Sequence, residues 1–233
     1  MRRINSFGNN YKMDYSNLHL KPEIRTVCFD IDGTLIDERV PGAQIHPRHL
    51  GGNYLLELLA RYGAQHSEKA ESEILDYIKE NLFWDYDDII VEFGLDYDRV
   101  MASMREWHLG EFVVLWDRVR LLHELYRRGY QIQVISNNPY MGCLMKLELA
   151  EIVGSNGIGL LSGVHGSNNG LGQKHDPAFW RRVLELTGVP AGHMAMIGDN
   201  PLEDSYVPLQ AGFGQAIIVQ DTLNLEELSS VSV

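Results

Sequence analysis

The chain has only two cysteines, Cys28 and Cys143. Two thiols cannot build a disulfide framework, so a reducing, cytoplasmic setting is the default expectation. Cys28 lies inside an apolar run and reads as a buried, inert thiol. Long hydrophobic runs are also missing. None reaches the roughly 18 residues that a membrane span requires, and no membrane contact is expected. Arg2 and Arg3 stand near the start, but Asn5, Ser6, Asn9 and Asn10 follow where a signal peptide carries its apolar stretch, so no secretion signal is read. Positive charge is scarce. Lys and Arg number 20 against 32 Asp and Glu, a net charge of −12. Such a field repels a nucleic-acid backbone at long range and makes nucleic acid an unexpected partner. It does not exclude a small phosphorylated molecule, because a cation and one lysine reverse the field locally. Internal repeats are absent.

What is present is ordinary globular material: 233 residues, 45% hydrophobic and 22% charged. That suffices for one domain with an insertion or for two modest domains. The oligomeric state stays open. After a polar lead-in to about residue 22, the run 24–30 (Ile-Arg-Thr-Val-Cys-Phe-Asp) is short, apolar and β-branched, and reads as a buried strand. Similar runs occupy 131–136, 194–199 and 215–219. Helical spacing appears over 118–128, with Gly129 as its stop, and over 177–187, with Gly188 as its stop. Strands alternating with helices predict an α/β fold with a parallel sheet covered on both faces. Ligands of such sheets bind beyond the carboxyl ends of the strands, where Asp30, Ser136 and Asp199 fall.

Residues 38–115 break the alternation. Stretches 50–62, 71–82, 85–93 and 98–108 read as helices with no obvious strand between them, and they hold most of the chain's negative charge. The expected organisation is therefore a core domain of residues 1–37 and 116–233 carrying an all-helical insertion at 38–115. The Gly-, Ser- and Asn-rich stretch from Gly154 to Gln173 reads as a long mobile connection leading into Lys174.

Chemistry concentrates at Asp30-Ile31-Asp32-Gly33-Thr34-Leu35. Two carboxylates two residues apart, just past a buried strand, face one spot if the chain leaves extended geometry, and Gly33 makes that departure easy. One can then attack while the other handles protons. A lone Asp-x-Asp-Gly is equally compatible with a turn or a calcium loop. In context, Phe29 to Leu35 resembles the first motif of the haloacid dehalogenase superfamily. Val134-Ile135-Ser136-Asn137-Asn138 is similar to the second, Lys174-His175-Asp176-Pro177 to the third and Ile197-Gly198-Asp199-Asn200-Pro201-Leu202-Glu203-Asp204 to the fourth, in the expected order.

The resemblance implies a Rossmann-like core with a helical cap in the C1 position, and a magnesium-dependent phosphatase. Asp30 would be the nucleophile and Asp32 the general acid and base, with a raised pKa. The Ser136 hydroxyl, the Asn137 backbone amide and Lys174 would hold the phosphoryl group. Mg2+ would take the Asp30 side chain, the Asp32 backbone carbonyl and Asp199. Asp204 would support this shell or bind Lys174, or act as a helix N-terminal acid. His175 replaces a proline common in the third motif, and Glu203 stands where many relatives carry Asn. Family dehalogenases lack an acid at the position of Asp32, so its presence favours a phosphate ester, the expected partner being a small-molecule ester; a phosphomutase or other phosphoryl transferase keeps both acids and is the alternative, and a non-catalytic binding module is a further one that the intact site residues speak against. Arg48, Arg61, Trp84 and Arg105 are candidate cap contacts to substrate, each with surface charge or packing as the plainer reading. His46 and His49 show no metal-ligand partners, and Trp107 and Trp116 read as core residues.

Overall fold

Apolar β-branched runs become strands here because both faces of the sheet are covered. A computed structural model of the protein describes residues 18–38, 54–80, 86–154, 159–167 and 171–219. Five parallel strands form the main sheet: β1 (Thr26–Phe29), β4 (Gln131–Ile135), β5 (Leu161–His165), β6 (Met194–Gly198) and β7 (Gln215–Ile218), in the order β5-β4-β1-β6-β7. The central strand β1 is buried over its whole length and pairs Phe29 with Val134 on one side and with Ile197 on the other. The ends of β1, β4 and β6 thus lie level. Removing a large side chain from such a strand costs about 2–5 kcal/mol, because the packed neighbours cannot close the void.

Two further strands, β2 (Ile36–Glu38) and β3 (Phe112–Val114), form a separate antiparallel ribbon that pairs Ile36 with Val114 and Glu38 with Phe112. Between them lie α1 (Tyr54–Gln65), α2 (Glu71–Glu80), α3 (Tyr86–Glu92) and α4 (Tyr97–Glu111). β3 falls inside the range expected to be helical throughout. Three residues are too few to show alternation, and the strand exists only through its pairing with β2. The four helices share an apolar cluster of their own, including Leu59, Ile74, Ile89, Met101 and Met104.

The remaining helices are α5 (Trp116–Arg127), α6 (Tyr140–Leu149), α7 (Pro177–Thr187) and α8 (Val207–Gln210). α7 starts as its sequence dictates: the Asp176 side chain accepts from the Ala178 amide, Pro177 takes the first turn, and Gly188 ends the helix at φ 63°. α6 joins the two cores, since Met145 packs into the helical cluster while Cys143 and Leu147 pack into the sheet's core. Among the described residues, no helix is long and apolar enough to cross a membrane.

Two expectations are corrected. The stretch from Gly154 to Gln173 is not simply a connection, because it contains β5, the edge strand beside β4. Its residues 155–158 and 168–170 lie outside the described ones. Trp116 is 46% exposed rather than a core residue, whereas Trp107 packs between the two apolar clusters. Cys28 and Cys143 are both buried thiols outside any disulfide, as their apolar neighbours require.

Candidate active site

The chain turns sharply after β1. The Asp30 amide donates to Ile197 O at 2.9 Å, and the amides of Thr34, Leu35 and Ile36 all converge on Ile31 O at 3.2, 2.8 and 3.0 Å. Gly33 sits at φ 69°, and a Cβ there would collide with the Asp199 carboxylate. Glycine is thus required both by conformation and by the approach of the acid. Arg118, buried at the start of α5, donates to Gly33 O and at 3.4 Å to Thr34 O, which fixes the turn from below.

Asp30 is buried, and Lys174 Nζ donates to its Oδ1 at 2.6 Å and to Asp204 Oδ1 at 2.7 Å. Burial alone would strip the lysine of its proton, but Asp30 and Asp204 outweigh it and raise its pKa, so it remains an ammonium ion. Burial, with the charges of Asp204 and Asp32, raises the Asp30 pKa well above the usual carboxylate range, although Lys174 pulls the other way. Lys174 is anchored at its backbone: its amide donates to Asn137 Oδ1 at 2.8 Å, and Trp180 Nε1 donates to its carbonyl at 2.6 Å.

The carboxylate oxygens of Asp30, Asp199 and Asp204 lie within 4.8 Å of one another. Burial and the Asp204 charge raise the Asp199 pKa as well. This is the donor set a hard divalent cation takes, and a cation there would relieve the repulsion that raises both acids. Asp204 is already engaged, by Lys174 and by the Asn200 amide at 3.0 Å. Asp204 thus binds Lys174 while also standing in the acidic cluster and in the first turn of the Pro201–Tyr206 segment. Its carboxylate fills the space beside Gly198, where a Cβ would collide with it. Gly198→Ala is therefore expected to displace Asp204 and to destabilise the fold by about 1–3 kcal/mol, read as a lowered Tm in a thermal melt.

β4 delivers the hydroxyl side of the site. The Ser136 amide donates to His165 O at 2.9 Å, and the Ser167 amide donates to Asn138 O at 2.9 Å, so β5 and the chain after it hold this loop. Ser136 Oγ accepts from the Asn138 amide at 3.1 Å and from Asn138 Nδ2 at 2.8 Å. The Asn137 side chain ties the third and fourth motifs together: besides accepting from Lys174, its Nδ2 donates to Glu203 Oε2 at 2.9 Å. Glu203 also lies 3.7 Å from His175 Nδ1, which gives both unusual residues one place in the site.

Asp32 has partners that its local sequence does not disclose. Lys146 Nζ, fully buried in α6, donates to Asp32 Oδ1 at 2.6 Å, and Asn138 Nδ2 donates to Oδ2 at 2.5 Å. Partial removal from solvent would raise the Asp32 pKa, but the Lys146 charge and these hydrogen bonds outweigh it and lower it. The expected raised pKa is overturned, because a lysine 114 residues away supplies the opposite charge. Beside this pair, burial and Lys146 push the His108 imidazole down to about 4, leaving it neutral, with Nδ1 donating to Met104 O at 2.7 Å.

The family model of haloacid dehalogenase-like hydrolases matches residues 24–206. The chain belongs to this family. Solved structures of HAD enzymes share the fold of this HAD-like hydrolase at low identity. The HAD phosphatase from Thermococcus onnurineus is 21% identical, over 85% of this chain and 87% of that one, with a TM-score of 0.50. The L-2-haloacid dehalogenase from Xanthobacter autotrophicus is 18% identical, over 90% and 84%, with a TM-score of 0.52. A HAD family enzyme from Bacteroides thetaiotaomicron, in complex with magnesium and inorganic phosphate, is 16% identical, over 88% and 98%, with a TM-score of 0.53. Likeness at these identities establishes the fold and leaves the leaving group open. No curated protein matches the chain.

The HAD site thus gathers Asp30, Asp32, Ser136, Asn137, Lys174, Asp199 and Asp204 around the ends of β1, β4 and β6. The candidate contacts in the helical segment fare differently. Arg61 pairs with Glu71 at 3.7 Å and Arg105 with Glu148 at 3.1 Å, both half exposed, which fits surface pairing. Arg48, Trp84, His46 and His49 lie outside the described residues. Sequence reading missed Lys146, Asn138 and Arg118. The available signal was the position of Asn138 two residues after Ser136. Lys146 carried none, because α6 is buried on most sides and shows no amphipathic stripe.

Proposed function

We propose that this hydrolase is a magnesium-dependent phosphatase acting on a small phosphorylated metabolite through an aspartyl-phosphate on Asp30. The observation that carries this is the second acid: Asp32 lies close enough for its charge to act on Asp30, and two donors of its own hold it. A halide leaves without a proton, whereas an alkoxide needs one, so a held acid beside the nucleophile fits a phosphate ester. In the first step an Asp30 oxygen bonds to phosphorus as the bond to the bridging oxygen breaks, and Asp32 gives that oxygen its proton. In the second step a water oxygen bonds to phosphorus while Asp32 takes the water's proton and the Asp30–phosphorus bond breaks. In the state described Asp32 is suited to the second step; the negative charge of an arriving phosphate raises its proton affinity for the first.

Lys174 neutralises charge as phosphate nears Asp30, and the Ser136 hydroxyl and Asn137 amide supply donors for phosphoryl oxygens. A magnesium ion would be held by Asp30, Asp199 and the Asp32 carbonyl, and would polarise the phosphoryl group and offset its charge. Residues 38–115 would act as a cap that excludes water from the small substrate.

The test is a panel of phosphate monoesters with magnesium, run beside 2-chloropropionate as a dehalogenase substrate. Free phosphate is expected from one or more esters, lost with a chelator and restored by excess magnesium. Chloride release without phosphate release would overturn the reading. Phosphate appearing only as a new ester, with none free in water, would mark a mutase instead.

A further inference from the structure

A wholly buried lysine is costly, and an apolar residue of similar volume often serves the fold as well or better. Lys146 is 0% exposed, and the carboxylate it meets, Asp32, is 46% exposed. The fold therefore spends a sequestered ammonium on a half-open side chain in the site. Its surroundings hold it in place. Nζ lies 4.7 Å from the centroid of the Phe112 ring, in the cation-attracting position over an aromatic face. It also donates to Asn138 Oδ1 at 3.2 Å. Asn138 in turn donates to Ser136 Oγ and to the second oxygen of Asp32. Each Asp32 oxygen thus has its own donor, which fixes both the position and the rotation of a carboxyl group that would otherwise be free to sample rotamers in solvent.

We propose that Lys146, backed by Phe112 and linked to Asn138, is a positioning residue that holds the Asp32 carboxyl group where it can reach the leaving oxygen. The inference rests on the proposed phosphatase chemistry. Lys146 meets Asp32, Asn138 and the Phe112 ring, and it acts on the reacting atoms through Asp32. Its effect runs through both proton transfers of Asp32, but only the first, which kcat/KM reports, varies with the ester, so in kcat/KM its loss is felt most where the leaving group needs that proton most.

The experiment compares wild type, Lys146→Met and Phe112→Leu on p-nitrophenyl phosphate, phenyl phosphate and glycerol 2-phosphate, in order of increasing need for a proton. Lys146→Met keeps the apolar stem and most of the length of the side chain. It is expected to lower kcat/KM roughly a hundredfold on glycerol 2-phosphate, the scale of a positioned acid, but only a few-fold on p-nitrophenyl phosphate. Phe112→Leu is expected to give the same pattern at smaller size, about two- to fivefold on glycerol 2-phosphate. Equal losses on all three esters in soluble, folded variants would overturn the inference, since a purely structural role lowers them together. If Lys146→Met fails to fold, Phe112→Leu decides alone by the same criterion. Asp30→Asn separates the two layers. Undiminished phosphate release in that variant sinks the aspartyl-phosphate route on Asp30 from which the inference is built, whereas a flat leaving-group profile with an inactive Asp30→Asn sinks only the role of Lys146.

Discussion

Asp30→Asn is expected to lower phosphate release by at least about a thousandfold while leaving the fold intact. The amide has the shape of the carboxylate but no anionic oxygen to bond to phosphorus, and losing a covalent nucleophile removes a whole reaction path rather than one contact. The fold should tolerate it. Asp30 is buried, with its pKa raised by burial and by Asp204 and Asp32, so neutralising it relieves a repulsion, and Lys174 keeps Asp204. A Tm within a few degrees of wild type, beside lost turnover of any ester the parent cleaves, is the expected pair of results. Retained turnover would show that another group attacks phosphorus.

Lys174→Met has the second largest expected effect, and it strikes stability as well as activity. Lys174 is the shared counter-ion of two buried carboxylates, with side-chain exposures of 3% for the lysine, 7% for Asp30 and 0% for Asp204. Removing one partner of a buried ion pair leaves uncompensated charge and costs about 3–5 kcal/mol. Turnover should fall by roughly a hundredfold or more, because a preorganised positive charge at the phosphoryl group is lost. The sign of the pH dependence follows from Asp30. Its pKa is already above the unfolded value, and Lys174 is a group that holds it down, so in the variant it moves further up. Ionised Asp30 then opposes folding at neutral pH, and that penalty fades as pH falls through its folded-state pKa. Chemical denaturation at pH 7 and pH 5 should show the gap to wild type narrowing at the lower pH. A constant gap would mean that the lost packing of the side chain, not its charge, dominates.

The parts of this site legible in the sequence are those written in consecutive residues. Asp30 to Leu35 displays its turn because Gly33 must adopt positive φ, and α7 displays its limits through Asp176, Pro177 and Gly188. The three strand ends were legible because β1, β4 and β6 are buried on both faces and so read as unbroken apolar runs. β5 was not, because Leu161-Ser162-Gly163-Val164-His165 mixes small and polar residues at a sheet edge and so looks like a loop. α6 was hidden for the opposite reason: packed against both apolar clusters, it has no polar face to set a helical period. With α6 went Lys146, and with Lys146 the charge state of Asp32. No reading of residues 30–35 alone could supply it, since the deciding group arrives from another helix. Arg118 was legible as the start of α5 but not as a donor to Gly33 O, because that contact exists only once the turn has formed.

The β2–β3 ribbon has a consequence for how such a chain changes over time. Glu38 and Phe112 stand opposite each other in one antiparallel pair, so the excursion between them begins and ends at neighbouring points, about 5 Å apart. Residues can be added to or removed from that excursion without moving either anchor, and a longer path between fixed ends raises the closure entropy only logarithmically. The sheet domain and the helical segment are thereby free to diversify at different speeds wherever the side chains that pack α6 against both clusters are kept.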